Sequence, residues 1–336
     1  MPRPLENEMR VLIRGAGVAG LTVAWQLYRH GFDVTVAEQA EKVGLGASGF
    51  AGGMLAPWCE RESAEEPVLT LGRAAADWWE AAVPGHVSRR GTLVVAAGRD
   101  AGELDRFARR TSGWEWLDVA AIAALEPDLA GRFPRALFFR QEAHLDPQRA
   151  LSALTAGLEE ARMRFLFGAN GAPDAARYDR VVDCTGAAQI GNLPDLRGVR
   201  GEMLYVETPE INLSRPVRLL HPRHPIYIVP RGRNRFMVGA TMIESADDGG
   251  ITARSLMELL NAAYTLHPAF GEARLTETGA GIRPAYPDNL PRVSEHDGIL
   301  HVNGLYRHGF LLAPAMAGEV ARRLLAEQAQ PERRAS

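Results

Sequence analysis

The sequence predicts an α/β (α+β) fold with two domains, one on a parallel sheet with flanking helices and one on a mixed or antiparallel sheet. The chain has 336 residues, of which 46% are hydrophobic, enough for about two domains with substantial cores. Near the N-terminus, short apolar runs flank a glycine-rich turn and a helical segment, which is typical of a parallel βαβ unit. In the middle of the chain, a short polar loop separates two apolar, β-prone runs, which is typical of an antiparallel hairpin.

The first element is the βαβ unit. Residues 10–13 form an apolar strand, residues 15–20 read GAGVAG, residues 21–30 are helical, and a second strand at 34–37 ends in Glu38. A glycine-rich turn at a helix N-terminus lets the backbone approach a pyrophosphate, and an acid about 20 residues on accepts hydrogen bonds from a ribose. The unit therefore predicts a Rossmann-like domain that binds a dinucleotide, with an ordinary glycine-rich turn as the alternative.

The stretch after Glu38 indicates which dinucleotide is bound. Residues 44–57 read GLGASGFAGGMLAP, and their small side chains allow close backbone approach along an extended ligand. Ser48 adds a hydroxyl group to this stretch. A nicotinamide-binding domain more often continues directly into a second helix and strand, so the pattern favours FAD; the alternative is a flexible loop.

Further helices and strands follow along the chain. An amphipathic helix is predicted at 66–82, with Trp78 and Trp79 as core or subunit-contact residues. Two later segments extend the parallel sheet. The first contains a helix at 147–162, strands at 165–167 and 180–183, and the pair Thr185 and Gly186. The second contains a strand at 299–303 and a helix at 315–327. A helix N-terminus beside Gly309 can stabilise negative charge on a reduced flavin. Three distant segments thus converge on one cofactor.

The central hairpin carries two candidate pocket residues. The runs 226–229 and 235–241 are separated by a four-residue loop, and placing Pro230 opposite Arg235 puts Tyr227 opposite Val238. Because side chains alternate along a strand, Met242 then shares a face with Tyr227. The alternative is that both are ordinary sheet residues.

Two arginines are candidate ligands for an anionic substrate. Arg283 lies in the uncharged stretch GAGIRPAYP, with no acid downstream before Asp288, so it has no obvious local partner. A guanidinium presents two parallel N–H groups to a carboxylate, which a lysine cannot reproduce. Among 37 arginines, the default alternative is a surface residue. Arg307 can share the carboxylate, line the entrance, or contact protein only.

Composition excludes several other functions. The 38 basic and 41 acidic residues leave a net charge of −3, which predicts neither a nucleic-acid partner nor a membrane partner. Lys42 is the only lysine and follows no glycine-rich loop, which argues against a pyridoxal Schiff base or a P-loop. Cys59 and Cys184 are far apart without a CxxC pair, so we expect no metal site and no disulfide.

No targeting segment is evident at the N-terminus. The apolar run at 11–13 is too short for a signal-peptide core or a membrane span. We therefore expect a soluble, cytoplasmic protein with reduced thiols.

Together these residues resemble the D-amino-acid oxidase superfamily of flavoproteins, and within it the glycine oxidases of thiamine-thiazole biosynthesis. The resemblance covers nearly the whole chain and rests on the order and spacing of short motifs. They are GAGVAG with Glu38, GGMLAP at 52–57, LEPDL at 125–129, HLDP at 144–147, YIVPR at 227–231, GATM at 239–242, GIRP at 281–284 and YRHGFLLAP at 306–314.

The resemblance implies FAD, and we expect it to be bound non-covalently because neither cysteine lies in the YRHG segment, where sarcosine-oxidase relatives carry their covalent anchor. The expected cofactor contacts are Gly15, Gly17, Val18, Ala19, Gly20, Glu38, Gln39, Ala47, Ser48, Gly52, Gly53, Met54, Thr185, Gly186, Leu305, Tyr306, Arg307, His308, Gly309, Phe310 and Leu311. Arg283 matches the substrate-carboxylate arginine, Arg307 a second arginine near the ligand, and Tyr227 and Met242 the pocket walls. The connection at 163–180 is shorter than in relatives, in which this region contributes a contact on the adenine side of FAD. Whether this chain makes that contact is left open.

The resemblance also implies a domain arrangement. The FAD-binding domain comprises residues 1–57, 141–200 and 290–330, and the substrate-binding domain comprises 58–140 and 201–289. Residues 331–336 are expected to be a frayed tail.

The implied reaction is oxidative deamination of a small amino acid, such as glycine, sarcosine or a small D-amino acid. A hydride passes from the α-carbon to the flavin, water hydrolyses the imine to a 2-oxo acid such as glyoxylate and ammonia or an amine, and molecular oxygen becomes hydrogen peroxide. No side-chain base is required if the amine binds neutral, so no catalytic residue is assigned; His308 is either a base or a structural histidine.

Partners and rival functions follow from the same resemblance. The implied partners are the substrate and oxygen, with a homo-oligomer, often a tetramer, as the assembly. The alternatives are a D-amino-acid dehydrogenase that passes electrons to a quinone or carrier, and a non-enzymatic dinucleotide-binding protein.

Overall fold

The computed structural model describes residues 9–168 and 173–335, the last six of these by backbone alone. The strands are β1 Arg10–Arg14, β2 Asp33–Glu38, β3 Met54–Leu55, β4 Thr92–Ala96, β5 Glu115–Asp118, β6 Arg135–Phe139, β7 Ala143–His144, β8 Arg164–Phe167, β9 Arg180–Asp183, β10 Arg197–Glu207, β11 Val217–Leu220, β12 Ile226–Pro230, β13 Arg235–Gly239, β14 Ile243–Glu244, β15 Arg274–Ala285, β16 Arg292–His296 and β17 Ile299–Asn303. The helices are α1 Val18–Arg29, α2 Pro57–Glu60, α3 Glu66–Gly72, α4 Ala75–Ala82, α5 Ala101–Arg110, α6 Val119–Leu125, α7 Pro147–Glu160, α8 Ala253–Leu266 and α9 Gly309–Ala335.

The first sheet has six strands in the order β16-β17-β9-β1-β2-β8. All its pairings are parallel except β16 with β17. Its central strand β1 is a continuous apolar run because both faces are covered, and Leu12 and Ile13 are fully buried. The carboxyl ends of β1, β2 and β9 lie at one edge, where α/β proteins bind their ligands.

The second sheet follows the order β14-β10-β13-β12-β11-β4-β6-β5, and β15 pairs with β10 beside this path. The pairing of β4 with β11 is parallel, whereas the other pairings are antiparallel, so the sheet is mixed. A parallel and a mixed sheet in one chain confirm the predicted fold class. The strands of the first sheet come from the three predicted FAD segments, but β10 crosses the predicted boundary at residue 200; the domain boundaries stay a prediction.

The predicted register of the central hairpin is wrong by one residue. Tyr227 pairs with Gly239 and Pro230 with Phe236, because the Arg231 amide donates to Arg235 O at 2.8 Å and continues the pairing one step further. The loop therefore has three residues rather than four, and its members Gly232, Arg233 and Asn234 have φ values of +73°, +49° and +60°. The strand also ends at Gly239, so Met242 lies beyond the alternation that placed it on one face with Tyr227.

Helix boundaries differ from the expectation at two places. The predicted single helix at 66–82 is interrupted after Gly72 and continues as α4 from Ala75. The last helix begins at Gly309, six residues before the predicted start, and ends at Ala335, so it includes most of the predicted frayed tail.

The helix α4 anchors the start of α9 beside the edge of the first sheet. Trp79 is fully buried, and its indole Nε1 donates to Phe310 O at 2.8 Å. The rings of Trp79 and Phe310 also lie in contact, with centroids 5.3 Å apart. Trp79 is therefore a core residue, as the sequence predicts, and it fixes the first turn of α9.

Among the described residues, no helix is both long and apolar enough to span a membrane.

Candidate active site

A cavity of about 690 Å³ opens at the carboxyl edge of the first sheet and continues to the second sheet. Its volume is within the range of a cofactor and ligand site. Most of the predicted contact residues line it: Gly15, Gly17, Val18, Ala19, Glu38, Gln39, Ala47, Ser48, Gly52, Thr185, Gly186, Tyr227, Arg283, Leu305, Tyr306, Arg307, Gly309 and Phe310.

The glycine-rich turn is built for close backbone contact. Gly15 has φ +93°, and a Cβ there would lie 2.8 Å from Cys184 O, so no larger residue fits. After the turn, α1 begins at Val18 with its first amides at the cavity. The Val18 amide donates to Ser48 Oγ at 3.1 Å, which joins the turn to the small-residue stretch.

Glu38 is held at the end of β2 by two backbone amides. Its Oε2 accepts from the Ala16 amide at 2.7 Å and its Oε1 from the Ala40 amide at 3.0 Å. A carboxylate has about four acceptor positions, so Glu38 keeps capacity for the hydroxyls of a ribose. The geometry therefore matches the role that the βαβ unit predicts.

The short connection at 163–180 contributes to one end of the cavity. Leu166, Gly168 and Pro173 line it beside Gln39. Residues 169–172 of this connection, on which the open question of the adenine-side contact partly falls, lie outside the described residues.

Arg283 lies on β15 with its guanidinium over Gly201 of the neighbouring strand. A Cβ on Gly201 would overlap that guanidinium, so the absence of a side chain there makes room for it. Its Nη1 donates to Thr241 O at 3.1 Å, and no acidic side chain within the described ranges forms an ion pair with Arg283. Burial lowers the pKa of Arg283 from its usual value, as expected for a cation without a carboxylate partner.

Arg307, in contrast, is already paired with a carboxylate. Its Nε and Nη2 donate to Glu60 Oε2 at 2.8 and 2.6 Å. Arg218 donates to the other oxygen at 3.2 Å, and His308 Nδ1 lies 3.4 Å from Oε2. Burial opposes ionisation of Glu60, but the three basic neighbours outweigh it and lower the pKa of Glu60 to about 2. Arg307 therefore lines the cavity already paired with a carboxylate, which it shares with Arg218.

The two predicted wall residues differ in position. The Tyr227 ring lies so close to Gly52 that a Cβ there would be 2.6 Å from Cε2, and Tyr227 lines the cavity. Met242 does not line it and is 53% exposed. Its Sδ accepts from Tyr306 Oη at 3.4 Å and Arg307 Nη1 at 3.5 Å, so it contacts the wall from behind.

Five predicted cofactor contacts do not line the cavity. They are Gly20, Gly53, Met54, His308 and Leu311. Gly20 packs against Gly15 within the turn, and Leu311 is buried against Gly72. Burial lowers the pKa of His308 to about 4, so its imidazole is neutral at neutral pH. The functional assignments of all these residues stay predictions.

The family model DAO, described as FAD dependent oxidoreductase, matches residues 10–323. The chain belongs to this family. The predicted FAD cofactor and the predicted enzyme class are thereby confirmed.

Curated relatives and a solved structure agree with this membership. The chain is 83% identical over 328 residues to the "Putative thiamine biosynthesis oxidoreductase ThiO" of Rhizobium etli, covering 98% of this chain and all of that protein. It is 28% identical to the glycine oxidase of Bacillus licheniformis, covering 96% of this chain and 94% of that one. The crystal structure of glycine oxidase from Geobacillus kaustophilus matches with a TM-score of 0.75 at 24% identity, covering 94% and 95% of the two chains, which shows a shared fold.

The residues of this flavoenzyme's cavity fit FAD. The open backbone at Gly15 and the N-terminal end of α1 would receive the pyrophosphate, and Glu38 would receive the ribose. When bound, FAD accepts a hydride equivalent from a substrate and passes the electrons to an acceptor.

Several residues at the site carry no signal in the sequence. Glu60, Gly201 and Asp248 lie in stretches that match no binding motif, yet each lines the cavity or contacts a residue that does. Thr241 lies in the motif GATM, but nothing in that motif shows that its carbonyl contacts Arg283. The partners of Arg283 and Arg307 are distant in sequence, so they are found only in the folded chain.

Proposed function

We propose that this flavoenzyme oxidises a small amino acid such as glycine, sarcosine or a small D-amino acid. The products are a 2-oxo acid such as glyoxylate, ammonia or an amine, and hydrogen peroxide, and the reaction supplies thiamine thiazole biosynthesis. The names of the relatives support the substrate class and the pathway. The observation that carries the proposal is the guanidinium of Arg283, which faces the cavity with no carboxylate partner among the described residues.

The charge balance of the cavity selects one arginine as the anchor. Arg307 donates two hydrogen bonds to Glu60, whereas Arg283 contacts a backbone carbonyl and has no carboxylate partner among the described residues. A substrate carboxylate gains a charge-assisted, bidentate pair with the free guanidinium and gains less from one already paired. We therefore assign Arg283 as the carboxylate ligand, with Tyr227 as a wall and Arg307 near the entrance.

The chain's task in the reaction is placement. Arg283 fixes the carboxylate, which directs the α-carbon and its amine along one orientation in the cavity. For glycine the balanced reaction consumes one oxygen and one water and yields glyoxylate, ammonia and hydrogen peroxide. Burial keeps His308 neutral beside Glu60 and behind the wall, so we assign it a structural role rather than that of a base.

Oxygen as acceptor, non-covalent binding of FAD and a homo-oligomeric assembly belong to the same proposal. The resemblance to glycine oxidases supports them. Location in the cytoplasm stays a prediction from the sequence.

Replacing Arg283 tests the carboxylate assignment. We expect Arg283→Ala to fold and keep FAD, because its guanidinium is at the surface of a cavity, and to raise KM for glycine about a hundredfold, because the substrate carboxylate loses its buried partner. The measurements are flavin content, and peroxide formed with glycine, sarcosine, D-alanine and D-proline. Arg274→Ala, which removes an exposed arginine from the same strand, is the matched control and leaves KM unchanged.

Two outcomes oppose the proposal. Normal turnover by Arg283→Ala contradicts the assignment of the anchor. Reduction of a dye by these amino acids without oxygen uptake favours the dehydrogenase, and no reaction with any amino acid favours a binding protein.

A further inference from the structure

The loop at 240–252, between β13 and α8, borders the cavity. Thr241 gives its carbonyl to Arg283, Met242 contacts Tyr306 and Arg307 from behind, and Asp248 lines the cavity directly. The loop is rich in small and polar residues, and apart from the short strand β14 it has no regular structure. Its position must therefore be set by contacts to the rest of the molecule.

A buried ion pair lies beneath this loop. Arg200 and Glu202 on β10 are 2% and 0% exposed, and Arg200 donates from Nε and Nη2 to Glu202 Oε1 at 3.0 and 2.8 Å. The remaining donors of Arg200 go to the loop backbone, with Nη1 at 2.6 Å from Asp247 O and Nη2 at 2.6 Å from Gly250 O. Glu202 Oε1 also accepts from the Thr252 amide at 3.2 Å. The pair thus fixes the loop along its second half.

Glu202 holds the other end of the loop through Thr241. The Thr241 amide donates to Glu202 O at 3.2 Å, and the Glu202 amide donates to Thr241 Oγ1 at 2.9 Å. The Thr241 hydroxyl lies 3.4 Å from Glu202 Oε2. These reciprocal contacts fix the orientation of the Thr241 peptide, whose carbonyl receives Arg283 Nη1.

The ion pair and Arg283 lie on opposite faces of the sheet. Val199 pairs with Arg283 and Gly201 with Gly281, so Arg283 lies on the face of Gly201. Because side chains alternate along β10, Arg200 and Glu202 project from the other face. The two faces are therefore connected through Thr241, whose backbone lies beside β10 between β13 and β14.

A contribution to stability alone does not explain why the Arg200–Glu202 ion pair is buried beneath this loop. Burying two charges costs about as much as their attraction returns, and apolar residues of similar size often serve as well. This pair supplies a set of directed hydrogen bonds to the loop at 240–252, which includes Thr241, and Glu202 also contacts Ser255 in the first turn of α8. We propose that Glu202 is a positioning residue that aims Arg283 at the substrate carboxylate through Thr241, with Arg200 as the clamp of the loop. This inference rests on the proposed function.

The test measures binding of a carboxylate to the FAD-loaded enzyme. Acetate is the probe, and its Kd is read by calorimetry together with the KM and kcat for glycine. Glu202→Gln weakens the charge-assisted contacts with almost no change of shape, so we expect the Kd for acetate and the KM to rise about tenfold with kcat changed far less. Thr241→Val keeps the carbonyl but removes both hydroxyl contacts, and it raises the Kd a few-fold even if Glu202→Gln folds poorly.

A second buried pair, between the segment that follows α6 and the segment that precedes β11, provides the matched control. Glu126 accepts from Arg215 Nε at 2.6 Å, with exposures of 1% and 8%, and the pair's other contacts are to Arg90, Leu125 and Ser214, none of which lines the cavity in the described structure. Glu126→Gln lowers thermal stability as Glu202→Gln does, because each variant leaves a buried arginine without its carboxylate. It leaves the Kd for acetate unchanged.

A double variant separates this inference from the proposed function. In the Arg283→Ala background, Glu202→Gln causes no further loss of acetate binding if it acts through Arg283. The inference is overturned if Glu202→Gln weakens acetate binding no more than Glu126→Gln does, or if its full effect persists without Arg283. Unchanged acetate binding by Arg283→Ala instead overturns the proposed function itself.

Discussion

At the scale of single residues, two arginines in one cavity are distinguished by their partners. Composition shows only that the positive charge is almost all arginine, with a single lysine. Folding brings Glu60 to Arg307 across 247 positions of sequence and leaves Arg283 facing a backbone carbonyl. The charge available to a ligand is therefore a property of the fold, and the uncharged surroundings of Arg283 in the sequence are the one local sign of it.

The buried carboxyl group of Glu142, beside α2, makes the stability of the folded protein depend on pH. Glu142 is 0% exposed, its Oε1 accepts from the Cys59 amide at 2.7 Å, and burial raises its pKa from 4.5 to about 7. Between these two values the folded protein binds more protons than the unfolded chain, so the stability from the neutral carboxyl falls as pH rises through this window. The glutamine side chain of the Glu142→Gln variant stays neutral at every pH, so this variant does not lose stability in this window.

We therefore expect the wild type to lose about 2 kcal/mol of stability relative to Glu142→Gln between about pH 5.5 and pH 8. Denaturant unfolding of both proteins at a series of pH values measures the difference. Glu272→Gln, which makes the same substitution at an exposed position, is the control. A constant difference for Glu142→Gln would show that Glu142 ionises normally in the folded state.

At the scale of elements, prediction from sequence succeeds where the signals are local. The βαβ unit is predicted to within a few residues because GAGVAG, the apolar strands and Glu38 all lie within 30 positions of each other. The hairpin is also predicted, but its register depends on three successive left-handed residues, two of which, Arg233 and Asn234, are not glycine. Residues other than glycine seldom adopt that conformation, so the sequence favours the longer loop.

The residues of the candidate site are likewise predicted only where the signal in the sequence is local. The glycines, Glu38 and Ser48 follow from motifs, whereas Thr241 and Glu202 act through contacts between strands that are distant in sequence. The error of one residue in the hairpin register also misplaced Met242, because its predicted face depended on the pairing of Tyr227. Such residues can be predicted only when the pairing of the strands is known.

The pairing of β10 with β15 leads to a prediction at Gly201. A Cβ there would overlap the Arg283 guanidinium, which is the free end of a flexible side chain and can move aside. We expect Gly201→Ala to fold and keep FAD but to raise the KM for glycine about tenfold, because the displaced guanidinium no longer meets the carboxylate in the productive orientation. Gly98→Ala, where a Cβ meets open space, is the control. An unchanged KM in Gly201→Ala would place the carboxylate elsewhere in the cavity.

At the scale of the whole molecule, the cavity joins two sheets with separate cores. Glu38 and Ser48 approach it from the side of the parallel sheet, and Tyr227, Gly201 and Arg283 from the mixed sheet. Because both sets line one continuous volume, a ligand that fills it contacts both sheets at once. We therefore expect bound FAD to stabilise the folded molecule as well as to supply its chemistry.

Removal of FAD tests this coupling. A ligand that binds only the folded state stabilises it by about 3 kcal/mol at a hundredfold excess over its Kd, so the protein stripped of FAD unfolds at a lower temperature and recovers when FAD is added. FMN lacks the adenylate half that Glu38 and the turn at Gly15 would hold, and it restores much less. Hydrogen exchange locates the effect: FAD slows exchange at amides of both β1 and β15. Protection confined to β1, or equal recovery with FMN, would mean that the cofactor does not link the two sheets.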